Sequence, residues 1–315
     1  MNKNSEIIFM LCSHLLKSEE YKPYEPLEWT KLAELLVQAG LQPSDLPEMS
    51  DDELKNLHMD NKEINRLHHL FNRGGSLAFE MEKYENIGIS VVTRADVEYP
   101  KILKSKLGKT CPPLFYYAGN LKLAEQKCIG FVGSRNIDDN DIKFTERTVS
   151  TVNSLGYTVV SGGARGIDTI SAETSLKNGN EAVIYLADSM IKKIRNKNII
   201  SAVQNEKLLL LSVVKPDMSF TVASAMMRNR YIYAQSAGTV VVRSDYKKGG
   251  TWNGAIDSIK HKIAPVYCYN NSAYQGNQEL IKLGGIPIDE NWNGDISVKQ
   301  PDKKDDEPKQ LTLFD

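Results

Sequence analysis

The chain has 315 residues, 41% hydrophobic and 25% charged, an ordinary soluble make-up with length enough for two or three domains. Its formal net charge is -1, which excludes a globally basic molecule that coats nucleic acid and confines any nucleic-acid site to a local patch. Cys12, Cys111, Cys128 and Cys268 lie far apart with no CxxC pair, so neither a zinc site nor a disulfide framework is expected, and reduced thiols fit a cytoplasmic protein.

Residues 1 to 85 read as a small helical domain. The apolar run from Ile7 to Cys12 is too short to cross a membrane and is read as part of a first helix. Leu32, Leu35, Leu36 and Ala39 recur at three- and four-residue steps, one buried helix face. Ser50 stands three residues before Glu53, a capping-box start for the next helix. His14, His58, His68 and His69 have no clustered partners and read as core or solvated side chains rather than metal ligands.

Residues 86 to 126 change character. Residues 88 to 92 and 114 to 117 read as short strands, separated by Tyr99-Pro100 and Cys111-Pro112-Pro113, which break any helix. This stretch is taken as a lead-in packed on the next domain. From Lys127 a regular pattern sets in. Short apolar runs at 128 to 132, 157 to 160, 182 to 186, 208 to 214, 239 to 242 and 263 to 267 alternate with helical segments, among them 139 to 155 and 167 to 177. That alternation predicts an α/β, Rossmann-like fold with a mainly parallel sheet covered on both faces, over residues 86 to 288 with the lead-in included. The tail, 289 to 315, is polar, is expected to be disordered, and ends in Gln310-Leu311-Thr312-Leu313-Phe314-Asp315.

Ligands of such sheets bind at the carboxyl ends of the strands, and four segments there carry anion-binding chemistry. After the first run come Gly133, Ser134 and Arg135: close backbone approach, a hydroxyl donor and a phosphate partner. After the second comes Ser161-Gly162-Gly163-Ala164-Arg165-Gly166-Ile167-Asp168, a glycine-rich turn opening a helix, with Arg165 as a bidentate donor and Asp168 read as a cap or an orienter of Arg165. Arg228, Asn229 and Arg230 suit phosphate recognition or a polar anchor beside the site. After the fifth run, Lys247, Lys248, Gly249, Gly250 and Thr251 repeat the glycine-and-hydroxyl chemistry, and Trp252 either stacks a base or packs inside. Lys192, Lys193, Arg195 and Lys197 form a basic run after the third strand, read as solvated surface. There is no GxxxxGK[ST], no GxSxG, and no histidine between His69 and His261. The pattern points to a binder rather than a catalyst, with no cofactor or metal.

These ordered motifs, together with Thr93-Arg94, Tyr99-Pro100 and Leu114-Phe115-Tyr116, resemble those of the DprA/Smf DNA-processing family over about residues 85 to 270. The resemblance implies an extended Rossmann fold that binds single-stranded DNA, usually as a dimer, and helps load the RecA recombinase. It places DNA contacts at Ser134, Arg135, Gly163, Arg165, Arg228, Arg230 and the loop from Lys247 to Thr251. Several departures mark a divergent member. Ala172 stands where the family has histidine and Gly163 where it has leucine. The lysine-rich run from Lys192 replaces a proline-rich turn, and Trp252 is unusual. A helix-hairpin-helix domain is compatible with residues 1 to 85, though no clear GxG hairpin is present, and no room is left for the winged-helix domain that some members carry. Gln310, Leu311, Leu313 and Phe314 resemble the pentapeptide by which bacterial repair proteins bind the polymerase III sliding clamp; folding back on its own domain is the alternative for this peptide.

Two other readings stay open. One is a nucleotide-signal sensor on the same scaffold. The other is a nucleoside-monophosphate phosphoribohydrolase, whose PGGxGTxxE motif, aligned on Gly249-Gly250, meets Trp252, Asn253 and Ile256 here.

Overall fold

The computed structural model describes residues 1–16 and 20–297. Five helices come first: α1 (Lys3–Cys12), α2 (Pro26–Gln38), α3 (Asp51–Asn56), α4 (Asn61–Asn72) and α5 (Gly74–Glu85). Then follow β1 (Ser90–Thr93), α6 (Lys101–Leu107), β2 (Leu114–Ala118), β3 (Cys128–Val132), α7 (Asp139–Ser154), β4 (Thr158–Ser161), α8 (Ile167–Lys177) and β5 (Ala182–Tyr185). The chain continues through α9 (Met190–Ile194), α10 (Lys197–Gln204), β6 (Leu208–Ser212), α11 (Val222–Gln235), β7 (Gly238–Val241), α12 (Gly249–His261), β8 (Val266–Tyr269), α13 (Gln275–Lys282) and β9 (Ile286–Ile288).

All nine strands form one sheet in the order β1-β2-β6-β5-β4-β3-β7-β8-β9. The strands from β6 to β9 run parallel, while β1–β2 and β2–β6 are antiparallel. This is the Rossmann-like architecture expected, with one correction. The lead-in does not merely pack on the sheet; its two strands extend it, Tyr116 opposite Ser212 and Tyr117 opposite Leu211. β3, β4, β5 and β6 are buried along their whole length, which is why they read as mostly apolar runs, interrupted only by Thr158, Ser161 and Ser212, rather than as alternating ones.

Both faces are covered. On one, α7 and α8 lie over β3 and β4, and the N-terminal helices cover the far end. There Leu11, Leu32, Leu67 and Leu77 share a core with Tyr116, Ile184, Leu208 and Leu210, and Ser13 hydroxyl meets Tyr116 hydroxyl at 2.8 Å. The capping box at Ser50 and Glu53 is formed. In α2, Leu32 and Leu36 are buried, but Leu35 is only half-buried and Ala39 is the exposed C-cap. On the other face, α6, α11 and α12 enclose an aromatic cluster of Phe115, Tyr185 and Tyr231.

Two strand boundaries move. The last expected run, 263 to 267, becomes β8 at Val266–Tyr269, because Lys262 ends α12 in the left-handed region and Pro265 has no N–H for a ladder. β9, with Pro287 at its centre, was not expected; it survives as an edge strand. The tail also begins later than expected. The Trp292 ring is tilted against Tyr267 with centroids 5.4 Å apart, and Ile296 packs on the same cluster, so the chain from Trp292 to Ile296 still touches the packed body. Gln310, Leu311, Leu313 and Phe314 lie outside the described residues. Among the described residues no helix is long and apolar enough to cross a membrane.

Candidate nucleic-acid interface

The sheet order reverses at β3: the chain moves out to β4 and β5 on one side, then returns to β7 on the other. The crevice outside the carboxyl ends of β3, β4 and β7 is therefore the topological switch point, where open α/β sheets bind ligands. The loops carrying Gly133–Arg135, Ser161–Asp168 and Lys247–Thr251 all leave strands at this end.

The glycines of these loops hold the loops to one another. Gly166 (φ +89°) lies so close to the first loop that a Cβ there would sit 2.3 Å from the Ser134 carbonyl oxygen. Ile167 N donates to that same oxygen at 3.4 Å. Gly133 faces the Ile167 side chain, Thr251 Oγ1 donates to Gly133 O at 3.1 Å, and Asn229 Nδ2 donates to Gly250 O at 2.9 Å. Arg228 Nη1 donates to Asp168 Oδ2 at 3.0 Å, and Ser161 Oγ donates to the Asp168 carbonyl. The four segments thus form one closed, interlocked frame.

Three assignments change as a result. Arg228 is buried in an ion pair with Asp168 and does not face the rim. Asp168, read as a cap or an orienter of Arg165, is the partner of Arg228 instead. Arg230 pairs with Asp257 of α12 at 3.0 Å on a different side of α11. Successive helix residues point about 100° apart, so Arg228, Asn229 and Arg230 go to three places. Gly162 makes room for the buried pair, since a Cβ there would lie 0.8 Å from Arg228 Nη1. Trp252 is packing: it is buried edge-on against Tyr246.

Four cations of these loops face solvent. Arg135, Arg165, Lys247 and Lys248 are exposed, and none of the four is in an ion pair among the described residues. Arg165 Nη2 donates to Asn136 Oδ1 at 3.3 Å, and Asn136 N donates to Ser134 Oγ at 3.0 Å, so Arg165 is tied loosely to the first loop. Arg243, which leaves β7 beside them, is engaged by Asp138 and Asp141; its hydrogen bond to Asp141 favours its charged form. The helix ends add to the field. Asp138 caps α7 and Thr221 caps α11, but neither α8 nor α12 has a side-chain cap. The first N–H of α8 is taken by the Ser134 carbonyl, whereas α12 begins at the exposed Gly249 and Gly250, with the positive end of its dipole at the surface beside the crevice.

Two residues of this rim were not singled out from the sequence. Phe220, 46% exposed, lies beneath the Arg135 guanidinium at 5.2 Å; an aromatic flanked by Ser219 and Thr221 in a loop just after a buried strand was the available signal. Lys193, read within a solvated run, donates from Nζ to Gly163 O at 2.6 Å and so supports the glycine-rich loop. Among the described residues, no group of three or more His, Cys, Asp or Glu side chains could hold a metal ion.

The fold defines a class: a Rossmann-type sheet whose switch-point loops carry four exposed cations and whose α8 and α12 lack side-chain caps, without a P-loop. Residues 90–292 match the family model described as DNA recombination-mediator protein A, and the chain belongs to that family. It is 28% identical over 234 residues to the Smf protein of Synechocystis sp., covering 66% of this chain and 57% of that one. The chain spans about half the length of the curated relatives it matches. The X-ray structure of DNA processing protein A from Streptococcus pneumoniae superposes with a TM-score of 0.71 at 20% identity, covering 90% of this chain and 94% of that one. A structure of DNA processing protein A from Helicobacter pylori, described for its single-stranded DNA binding mode, gives a TM-score of 0.50 at 23% identity over 62% of this chain and 87% of that one.

Proposed function

We propose that the protein binds single-stranded DNA across the carboxyl ends of β3, β4 and β7, without catalysis, as a cytoplasmic recombination mediator. The observation that carries this reading is the convergence of Arg135, Arg165, Lys247 and Lys248 with the N-termini of α8 and α12, which lack side-chain caps, and the exposed Phe220 on one rim. Phosphates suit the cations and helix ends. A base suits the ring of Phe220, and only unpaired bases offer their faces to such a ring. Membership of the recombination-mediator family and the H. pylori relative described as binding single-stranded DNA support the choice of DNA over a free nucleotide. Within this reading, Ser134, Arg135, Gly163, Arg165 and the loop from Lys247 to Thr251 meet the strand. Arg228, Asn229 and Gly162 hold the frame. Protection of the strand, hand-over to RecA and a homodimeric state complete the proposal, with sliding-clamp binding through Gln310, Leu311, Leu313 and Phe314.

The test is fluorescence anisotropy of a labelled single-stranded oligonucleotide across salt, for the wild type and Arg165→Ala. The variant is expected to bind more weakly and to lose about 0.7 from the slope of log K against log salt, the value for one phosphate contact on a single strand. Unchanged affinity and slope would remove the site from the crevice. No binding by the wild type at low salt would favour the nucleotide sensor.

A further inference from the structure

Beside the glycine-rich loop, on the face covered by α8 and α10, the structure opens a cleft of about 750 Å³. A parallel sheet ordinarily seals this position, because the helix joining two neighbouring strands lies down on both. Here α10 has no buried residue at all, although Ile199, Ala202 and Val203 line up on one of its faces and lean on the core. The helix stands off from α8, and apolar side chains from both walls, Ala172 and Leu176 opposite Ile199 and Ala202, border the opening. Half-exposed apolar surface of this kind gains from contact with a flat apolar group, and the volume lies in the range of small-ligand sites.

The edges are polar and mostly positive. Lys177, Lys192, Lys193 and Lys207 border the cleft against a single carboxylate, Glu173; Lys207 is taken up by Glu181 at 2.6 Å, which leaves the others to set the sign. The cleft also reaches the glycine-rich loop. Gly163 belongs to both: it borders the cleft, and its carbonyl accepts from Lys193 Nζ. A chain held at the glycine-rich loop therefore meets Lys193 next and the apolar walls after it.

We infer that the cleft between α8 and α10 takes a further nucleotide of the same single strand, its base between Ala172, Leu176, Ile199 and Ala202 and its phosphate at Lys192 and Lys193. The inference rests on the reading proposed above and extends the bound strand beyond the switch-point crevice. It gives the stand-off of α10 a role, since a helix seated on β5 and β6 would close the space. It also ties the cleft to the loop: a phosphate drawing Lys193 toward it loosens the bond to Gly163.

The experiment uses the full chain and labelled oligothymidylates of increasing length, with free thymidine monophosphate as competitor. Ala202→Trp fills the cleft without touching the loops, and Lys192→Glu reverses an exposed charge that holds nothing in the fold. Short oligomers that fill only the crevice are expected to bind both variants as they bind the wild type. Oligomers long enough to enter the cleft are expected to lose about fivefold or more in each variant, the size of one lost base contact. Equal affinity of both variants for every length overturns the inference while leaving the crevice intact, provided Arg165→Ala still weakens binding. A cleft that binds the free monophosphate, with long-oligomer affinity unchanged in the variants, overturns it in favour of a separate nucleotide site. Failure of the wild type to bind any oligomer overturns both this inference and the reading beneath it.

Discussion

Replacing Gly162 by alanine tests whether a glycine of the loop after β4 serves a buried ion pair. The backbone there is not left-handed, so alanine brings no torsional strain. On that ground alone the change would stabilise by about 0.4–1 kcal/mol through the unfolded chain. The added Cβ, however, would lie 0.8 Å from Arg228 Nη1, 2.1 Å from its Cζ and 2.6 Å from Asp168 Oδ2. None of these atoms can yield easily, because the Arg228 and Asp168 side chains are 7% and 9% exposed. Displacing the guanidinium leaves a buried carboxylate without its partner, a loss of about 3–5 kcal/mol, for a net destabilisation of about 2–4 kcal/mol. With a urea slope of about 3 kcal/mol/M the midpoint falls by about 1 M. The assay is equilibrium urea unfolding of Gly162→Ala, Arg228→Met and the double variant. Once Arg228 is replaced, the space is free, and adding the alanine is expected to cost less than about 1 kcal/mol, a coupling of about 2 kcal/mol between the sites. A Gly162→Ala cost that persists undiminished beside Arg228→Met would refute the argument, as would a single variant as stable as the wild type.

Four further outcomes are expected. Phe220→Ala should weaken oligonucleotide binding by about 1–3 kcal/mol and leave the salt slope unchanged; a change in slope would mean the ring acts through Arg135 rather than on a base. All four thiols are buried, and burial raises each of them, Cys128 to about 12. A thiol-disulfide reagent at mild alkaline pH should therefore label none in the folded protein and all after denaturation, and rapid labelling of any one would contradict the packing. The Arg66 guanidinium holds the Glu28 carboxyl below its ordinary 4.5, so the stabilisation is complete above that value and is lost as pH falls through the lower, folded value. Glu28→Gln should flatten part of the fall in thermal midpoint on acidification below about pH 4.5, and an identical acid limb would show the pair to be inert. Phe314→Ala should abolish binding to an immobilised sliding clamp, and undiminished binding would discard that partner.

Much of this arrangement is legible in the sequence because parallel strands and glycine-rich turns leave strong local marks. The runs at 128–132 and 182–185 are uninterrupted apolar segments, and the glycine-rich turn after β4 announces itself by composition. What escapes is set by the fold rather than by neighbours in the chain. The Arg228–Asp168 pair joins residues sixty positions apart. The helical period alone could have separated Arg228, Asn229 and Arg230, since three successive residues cannot share one partner. Phe220 and Lys193 gain their roles only because β4, β5 and β6 stand side by side. β9 has too few residues and too awkward a proline to register as a strand before its neighbour is known.

The position of β2 has a consequence for how the chain is made. Its partner β6 follows about 90 residues later, so at a synthesis rate of about 5–20 residues per second the strand waits roughly 5–20 seconds for its neighbour. Throughout that interval the five N-terminal helices have emerged, but β6, which carries Leu208 and Leu210 beneath them, has not, and β5 with Ile184 arrives only in its last third. Gly119 marks the spot where the wait ends: any larger residue would meet the Leu208 carbonyl oxygen at 2.1 Å as β6 arrives. The first third of this protein is thus a nascent chain with an open strand edge and an unfinished floor. That edge stays unpaired until the middle of the message has been read.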